Sequence, residues 1–182
     1  MRIIAGKLRG RRLLAPKDDA IRPTSDRARE ALFDILEHGA PPLRGARFLD
    51  LFCGTGAVGL EAHSRGAAEV LLIEIDRAAL KLAEANVARL GPPPGVRVLA
   101  RDATLLGAAP HPFDLVFLDP PYRSGLAAAA LAGLARGGWL GEGARIIVEL
   151  AAKDDLDLPE SYVLERERRY GRAKFLFLRL RT

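Results

Sequence analysis

From Arg47 onward the chain alternates between short apolar runs and segments of helical length. The apolar runs, long enough for strands, are "RFLDL", "EVLLIEI", "VRVLA", "FDLVFLD" and "ARIIVEL". The intervening segments with helical character are "AVGLEAHSRG", "RAALKLAEANVARLG" and "SGLAAAALAGLARGG". Continuous apolar strands between helices are typical of a parallel sheet that is covered on both faces. The pattern therefore predicts an α/β fold of the Rossmann-like kind, built on a mostly parallel sheet.

The two ends of the chain depart from this alternation. The tail "SYVLERERRYGRAKFLFLRL" predicts two strands about a turn at Tyr170-Gly171, and hence an antiparallel last strand. At the start, "RIIAGKLRGRRLLAP" predicts a β-hairpin, and "IRPTSDRAREALFDILEHG" predicts a helix with Thr24 or Ser25 as its N-cap. We therefore expect two units, a basic hairpin and helix over residues 1–40 and a sheet domain over residues 41–182.

Most of the excess positive charge lies at the start of the chain. The net charge is +5, and residues 1–29 hold nine basic and three acidic residues. Such a cluster forms either a solvated face or an arm that binds a polyanion. A single cysteine, Cys53, excludes an intrachain disulfide and fits a reducing cytoplasm. We expect a cytoplasmic monomer with no membrane span and no metal site, because the chain has no apolar run of about 20 residues and its histidines show no ligand spacing.

A glycine-rich loop, "DLFCGTGAVG" at residues 50–59, follows the first predicted strand. It contains the spacing G-x-G-x-x-G, which suggests a dinucleotide site with pyrophosphate at a helix N-terminus. A carboxylate at Asp50 would repel pyrophosphate, and it suits the sulfonium and ammonium groups of S-adenosylmethionine better. The residues predicted to contact that cofactor in this loop are Asp50, Phe52, Gly54 and Gly56.

Further acidic residues follow the next strands. Glu74 ends the second strand, where its carboxylate could accept hydrogen bonds from both ribose hydroxyls. Asp76 is the alternative, although its position resembles a helix N-cap. Asp102 follows the third strand, where its carboxylate and the N–H of Ala103 could bind the adenine edge. Helix capping is a sufficient explanation for any single acid at a strand end. It does not readily explain several acids at the carboxyl ends of successive parallel strands, which is where ligands bind in such folds.

The tetrapeptide Asp119-Pro120-Pro121-Tyr122 ends the apolar run "LVFL". It resembles the signature of class I methyltransferases that act on planar, conjugated nitrogen. The Asp119 carboxylate and the Pro120 carbonyl could accept the two N–H groups of an exocyclic amine and raise the electron density on its nitrogen. Tyr122 could stack on a flipped base. Cys53 is either a nucleophile or, because no base is paired with it, a small packing residue.

The chain as a whole resembles the bacterial small-subunit ribosomal RNA guanine-N2 methyltransferase family. The matching segments are "MRIIAGKLRGRRL", "RPTSDRAREALFDIL", "FLDLFCGTGAVGLEAHSRGA", "LIEID" and "FLDPPY". The resemblance implies that one guanine of 16S rRNA is methylated on an assembled small subunit or a late precursor. It also implies that Arg22, Pro23 and Thr24 close over the site. The residues expected to contact rRNA phosphates are Arg2, Lys7, Arg9, Arg11 and Arg12.

Two other functions fit parts of this pattern. A DNA adenine-N6 methyltransferase can share Asp-Pro-Pro-Tyr, but such enzymes usually carry a separate target-recognition region, for which this chain has no room. A non-catalytic RNA-binding or assembly protein could use the same fold, although the intact Asp119 and glycine loop argue against it. Binding of S-adenosylmethionine distinguishes an enzyme from the second alternative.

Overall fold

The computed structural model describes residues 1–16, 26–121 and 125–181. Within them, seven strands form one sheet in the order β3-β2-β1-β4-β5-β7-β6. The strands are β1 Arg47–Leu51, β2 Glu69–Glu74, β3 Val96–Ala100, β4 Phe113–Leu118, β5 Leu140–Ala151, β6 Tyr162–Tyr170 and β7 Ala173–Leu180. The helices are α1 Asp26–Glu37, α2 Ala57–Ser64, α3 Arg77–Arg89 and α4 Leu126–Arg136. The predicted fold class is confirmed.

Strands β1 to β5 form the parallel part of the sheet. β1 pairs with β2 and with β4, β2 pairs with β3, and β4 pairs with β5, all in parallel. β7 then runs antiparallel to both β5 and β6, and the turn at Tyr170-Gly171 connects the last two strands as predicted. β5 begins four residues before the predicted Ala144, because Gly141 and Gly143 interrupt the apolar pattern without ending the strand.

Both faces of the sheet are covered, which explains the continuous apolar strands. On one face α4 packs against a cluster that includes Val116 and Val148, both fully buried. On the other face α1, α2 and α3 contribute to a cluster that includes Phe117 and Ile147. Truncating a fully buried phenylalanine such as Phe117 to alanine costs about 3–5 kcal/mol of stability. In the described part of the chain, no helix is long and apolar enough to span a bilayer.

Residues 1–16, here called the N-terminal arm, form the predicted β-hairpin only at its two ends, where the Ile3 N–H donates to the Arg11 carbonyl at 3.0 Å and the Leu13 N–H to the Met1 carbonyl at 3.1 Å. A single antiparallel bridge joins Arg2 and Arg12, and a 3₁₀ turn occupies Gly6–Leu8. Gly6 has a φ of +78°, and a Cβ there would lie 2.0 Å from the Ser64 carbonyl oxygen. The 3₁₀ turn lies at this close approach to α2, so the antiparallel pairing is confined to residues 1–3 and 10–13.

The N-terminal arm is attached to α2 by hydrogen bonds and by apolar contacts. The Glu61 carboxylate accepts the backbone N–H groups of Ile4 and Ala5 at 2.7 and 2.9 Å. Ile3 and Leu13 are buried in a small cluster with residues of α2 and with Leu90. The division of the chain at residue 40 stays a prediction, and these contacts tie its first part closely to the sheet domain.

Candidate active site

The glycine loop turns sharply between β1 and α2. Three residues in it have positive φ: Phe52 at 58°, Gly54 at 55° and Gly56 at 74°. Gly56 is the N-cap of α2, and its N–H donates to the Cys53 carbonyl at 2.8 Å. A bulky residue with positive φ, such as Phe52, is strained and is found where a site requires it. The structure thus places the predicted Phe52, Gly54 and Gly56 in one turn at the carboxyl end of β1.

Gly59 has a packing role in the same turn region. A Cβ on it would lie 2.3 Å from Cδ2 of Leu72 and 3.2 Å from Oδ2 of Asp50. Its N–H donates to Oδ2 of Asp50 at 2.9 Å. The absence of a side chain at this position therefore lets α2 approach β2 and lets its first turn bind the Asp50 carboxylate.

Asp50 is a buried carboxylate with one unused oxygen. The residue is 1% exposed, and within the described residues Oδ1 has no hydrogen-bond partner. Burial raises the pKa of Asp50 to about 7, the Gly59 N–H lowers it, and the negative charges of Glu74 and Glu149 raise it. An unpaired buried oxygen costs about 1–3 kcal/mol. The atom is therefore poised for a ligand that donates a hydrogen bond or carries positive charge.

Asp50 belongs to a row of four carboxylates on one face of the sheet. The row, here called the acidic row, is Asp50, Glu74, Asp119 and Glu149. Each acid comes two residues after a buried apolar residue of the same strand. These four apolar residues all lie on the face covered by α1, α2 and α3, and they are Phe48, Leu72, Phe117 and Ile147. Because side chains alternate along a strand, the acids share that face. They lie at the carboxyl ends of four adjacent strands, β2, β1, β4 and β5.

Glu149 is the member of the acidic row that the sequence did not predict. It is 4% exposed and lies near the end of β5, between Val148 and Leu150. Apolar neighbours on both sides made it resemble an ordinary strand position. Its distance of two residues from Ile147 was the signal that could have identified it, because that spacing places it on the same face as Asp119.

Asp119 lies directly after β4, and its N–H donates to the Leu51 carbonyl at 3.3 Å. Loss of hydration and the charges of Glu149, Asp50 and Glu74 hold the pKa of this half-buried carboxyl well above its usual range. Pro120 is buried beside it, and Tyr122 lies outside the described residues. The structure therefore brings the predicted Asp119 and Pro120 to the acidic row, next to the glycine loop.

Glu74 and Asp76 have different hydrogen-bond partners. Glu74 accepts the Gly54 N–H at 2.9 Å through Oε2, and it accepts the N–H groups of Ile75 and Asp76 through Oε1. Asp76 is the N-cap of α3, where its Oδ1 accepts two backbone N–H groups. The predicted capping role of Asp76 is confirmed. Contact of either carboxylate with the ribose stays a prediction, and the link to Gly54 favours Glu74.

The region after β3 contains the predicted Asp102 and Ala103. Oδ1 of Asp102 accepts the Oγ1–H and N–H of Thr104 at 2.7 and 2.8 Å, and these two bonds lower the pKa of Asp102. Ala103 is buried. Two large apolar side chains nearby, Ile75 after β2 and Leu105 after Asp102, are 59% and 75% exposed. Sequence reasoning missed them as possible contacts for an aromatic ring, because Ile75 was included in the predicted second strand and Leu105 adjoins a second leucine, Leu106.

The predicted RNA contacts are only partly described. Arg2, Lys7, Arg9, Arg11 and Arg12 are exposed on the N-terminal arm, while Arg22 and Thr24 lie outside the described residues. Cys53 is buried, and burial raises the pKa of its thiol well above the usual value, which fits packing and not attack. Among the described residues, no group of three or more acidic, histidine or cysteine side chains could hold a metal ion.

These features fit one cofactor better than a dinucleotide. Buried carboxylates at this edge disfavour a pyrophosphate, whereas the unpaired Oδ1 of Asp50 suits the ammonium or sulfonium of S-adenosylmethionine. Together with an antiparallel β7 at the end of a parallel sheet, they define a class I methyltransferase that uses this cofactor. Sequence comparison narrows the assignment. The chain belongs to the family described as "Conserved hypothetical protein 95", whose pattern matches residues 1–179.

Named relatives agree with this assignment. The chain is 40% identical over 176 residues to "Ribosomal RNA small subunit methyltransferase D" of Escherichia coli K12, covering 96% of this chain and 87% of that protein. It is 35% identical over 182 residues to the protein of the same name from Haemophilus influenzae, covering 94% and 89%. The predicted relationship to bacterial small-subunit rRNA methyltransferases is thus confirmed.

Solved structures have the same architecture. The Escherichia coli protein yhhF matches with a TM-score of 0.85 and 37% identity, covering 100% of this chain and 98% of that chain. The Thermus thermophilus protein TTHA0928 matches with a TM-score of 0.76 and 36% identity, covering 97% and 98%. Magnesium protoporphyrin IX methyltransferase from Synechocystis, solved with bound SAM, shares the fold at a TM-score of 0.65 and 18% identity, covering 86% and 79%.

Proposed function

We propose that the protein methylates the exocyclic N2 amine of one guanine in 16S rRNA, on an assembled small subunit or a late precursor. The relatives named as small-subunit rRNA methyltransferases support ribosomal RNA as the substrate. The observation that carries the choice of an amine is the position of Asp119 and Pro120, which bring two acceptors to the acidic row beside the glycine loop.

The chemistry at Asp119 follows from the weakness of the nucleophile. The lone pair of a guanine N2 amine is delocalised into the ring, so the nitrogen attacks poorly. The Asp119 carboxylate and the Pro120 carbonyl accept its two N–H groups, orient the amine and raise the electron density on nitrogen as the new bond forms. The bound cofactor supplies the electrophilic methyl group. The extra proton on nitrogen then passes to Asp119 or to solvent.

Ionisation of Asp119 depends on the rest of the acidic row. Burial is the main reason that the pKa values of Asp50 and Asp119 are raised, and the negative charges of the neighbouring carboxylates raise them further. A cationic ligand among them offsets their mutual repulsion. We therefore infer that Asp119 is ionised, and accepts hydrogen bonds with both oxygens, when the cofactor site is filled. Binding of the positively charged cofactor before the substrate thus prepares Asp119 for the reaction.

Mass spectrometry tests the proposed function directly. In 16S rRNA from cells that lack this protein, we expect one methylguanosine to be missing, and purified protein with S-adenosylmethionine should restore it on isolated small subunits. Naked 16S rRNA and an adenine-containing DNA duplex serve as comparison substrates. Methylation of the DNA and not of the subunits would favour the adenine-N6 alternative, and absence of cofactor binding would favour the non-catalytic one.

We predict that Glu74→Ala weakens S-adenosylmethionine binding more than Asp76→Ala does. Glu74 holds the Gly54 N–H and is proposed to bind the ribose, so its loss should cost roughly 1.5–3 kcal/mol of binding free energy. Asp76→Ala removes a helix cap, which should lower folding stability by about 1 kcal/mol with little effect on affinity. Calorimetric titration of both variants measures the order, and the reverse order would assign the ribose to Asp76.

The N-terminal arm is proposed to bind rRNA phosphates. Deleting it would remove Ile3 and Leu13 and expose the apolar residues of α2 and Leu90 that they cover, so charge removal is the cleaner test. The double variant Arg9→Ala/Arg12→Ala should lower the slope of log affinity against log salt by roughly 1.4–1.8, because each phosphate that an arginine neutralises contributes roughly 0.7–0.9 to that slope.

A matched control removes two exposed arginines that are not part of the arm. Arg47 and Arg97 lie near the amino ends of β1 and β3, where both pair with Glu69. Arg47→Ala/Arg97→Ala should leave the salt slope unchanged. If both double variants change RNA binding equally, the arm is merely a solvated basic face.

A further inference from the structure

One buried side chain joins the glycine loop to the N-terminal arm. Asn86, on α3, is fully buried. Its Nδ2 donates to the Thr55 carbonyl at 2.9 Å and to the Leu14 carbonyl at 3.2 Å, and its Oδ1 accepts the Leu14 N–H at 2.7 Å. The carboxamide thus satisfies three backbone groups from two segments that lie far apart in the sequence.

Thr55 is the residue of the glycine loop through which this contact acts. It lies between Gly54 and Gly56, both with positive φ, and it is 3% exposed. Its Oγ1–H also contacts Sδ of Met1 at 3.8 Å. Glycines give the loop conformational freedom, so its shape has to be fixed from outside. Two contacts of Thr55 fix that shape: its carbonyl accepts from Asn86 of α3, and its hydroxyl faces Met1 of the N-terminal arm.

We propose that Asn86 is a positioning residue, which fixes the glycine loop in the conformation that binds S-adenosylmethionine and couples that conformation to the N-terminal arm. The arm reaches Asn86 through Leu14. Displacing Leu14 leaves the carboxamide oxygen and one N–H of Asn86 buried without partners. The free-energy cost of these unpaired groups weakens the hydrogen bond between Asn86 and the Thr55 carbonyl.

Coupling of this kind acts in both directions. If the backbone of Leu14 stabilises the loop that binds the cofactor, then a ligand that holds the arm in place raises cofactor affinity, and the cofactor raises affinity for that ligand by the same factor. Identifying the ligand as rRNA rests on the proposed function. The link between the arm and the cofactor does not, because it can be measured without RNA.

The decisive variants change the backbone of Leu14 without touching the cofactor site. Leu14→Pro removes the N–H that donates to Asn86, and Leu14→Ala keeps it while shortening the side chain by a similar amount. Calorimetry should show S-adenosylmethionine affinity about fivefold lower or more in Leu14→Pro, and unchanged in Leu14→Ala. Equal affinities in the two variants overturn the proposal.

Asn86→Leu tests the other end of the same link. Leucine has the same number of side-chain heavy atoms and the same branching as asparagine but makes none of the three hydrogen bonds, so cofactor affinity should fall at least as far as in Leu14→Pro. The double variant Leu14→Pro/Asn86→Leu should bind S-adenosylmethionine no more weakly than Asn86→Leu alone, because both changes break the same link. Fully additive losses would mean that the two residues act separately, which contradicts the proposal. If Asn86→Leu does not fold, the comparison between the two Leu14 variants still decides.

Discussion

Asp119→Ala is expected to lower methyl transfer to small subunits by at least about 100-fold, while S-adenosylmethionine affinity changes far less. The carboxylate is proposed to accept an N–H of the substrate amine, and removing one such preorganised contact typically costs roughly 10²–10³ in rate. Single-turnover methylation and calorimetry on the same preparation give the two numbers. Activity within about tenfold of the wild type, a loss of only about 1.4 kcal/mol, would contradict the role assigned to Asp119.

Asp114 offers a matched control for this substitution. It lies on the same strand, β4, but near the amino end, where its Oδ2 accepts the Arg47 N–H at 2.8 Å. Asp114→Ala should reduce stability without changing the rate of methyl transfer by the folded enzyme. A similar loss of activity in both variants would show that damage to β4, and not loss of an acceptor, explains the effect at Asp119.

Asp50→Asn is expected to lower S-adenosylmethionine affinity by about 100-fold, corresponding to roughly 2.7 kcal/mol, because it removes the buried charge that faces the cationic cofactor. In the wild type, affinity should also fall as the pH drops from 8 to 6, since the carboxylate with a pKa of about 7 becomes protonated in the cofactor-free protein. Calorimetry at several pH values should show a weaker and flatter pH dependence in the variant. Wild-type affinity in Asp50→Asn would contradict the assignment.

The same substitution should stabilise the protein without cofactor. Folding raises the pKa of Asp50 from 3.8 to about 7, so the folded state holds a proton that the unfolded state releases between these values. Stability of the wild type therefore falls as the pH rises through this window, and above it the penalty amounts to as much as roughly 4 kcal/mol. Urea unfolding at pH 8 should show Asp50→Asn to be the more stable protein. A less stable variant would mean that the Gly59 N–H outweighs burial.

The parallel part of the fold was predictable because its strands are bounded apolar runs. β1 and β3 have the predicted bounds, and Asp76 caps α3 as expected. The turn of the N-terminal arm was not predictable, because two short apolar runs cannot reveal that Gly6 must approach Ser64. Its conformation depends on α2, a partner far along the sequence, and local pattern contains no such information.

The candidate site was predictable where a charged side chain lies next to the end of an apolar run. Asp50 lies one residue before the end of β1 and Asp119 directly follows β4, and a carboxylate next to such apolar runs is unusual enough to notice. Glu149 and Asn86 escaped notice because each lies inside a regular element, where a polar residue is normally taken to face solvent. Arg29 is similar. It resembled an exposed helix position, yet it is buried, donating to the Arg2 carbonyl and pairing with Asp26.

The acidic row also predicts which residues a homologue would lose first after it ceased to be an enzyme. Burial raises the pKa values of Asp50 and Asp119, so these two carboxylates are kept at a cost in stability that a bound cationic cofactor offsets. A copy released from catalysis would gain stability from almost any neutral replacement at Asp50 or Asp119, so mutation would soon erase them. This chain retains all four acids of the row. Their joint presence is what we expect of a chain that still binds the cofactor.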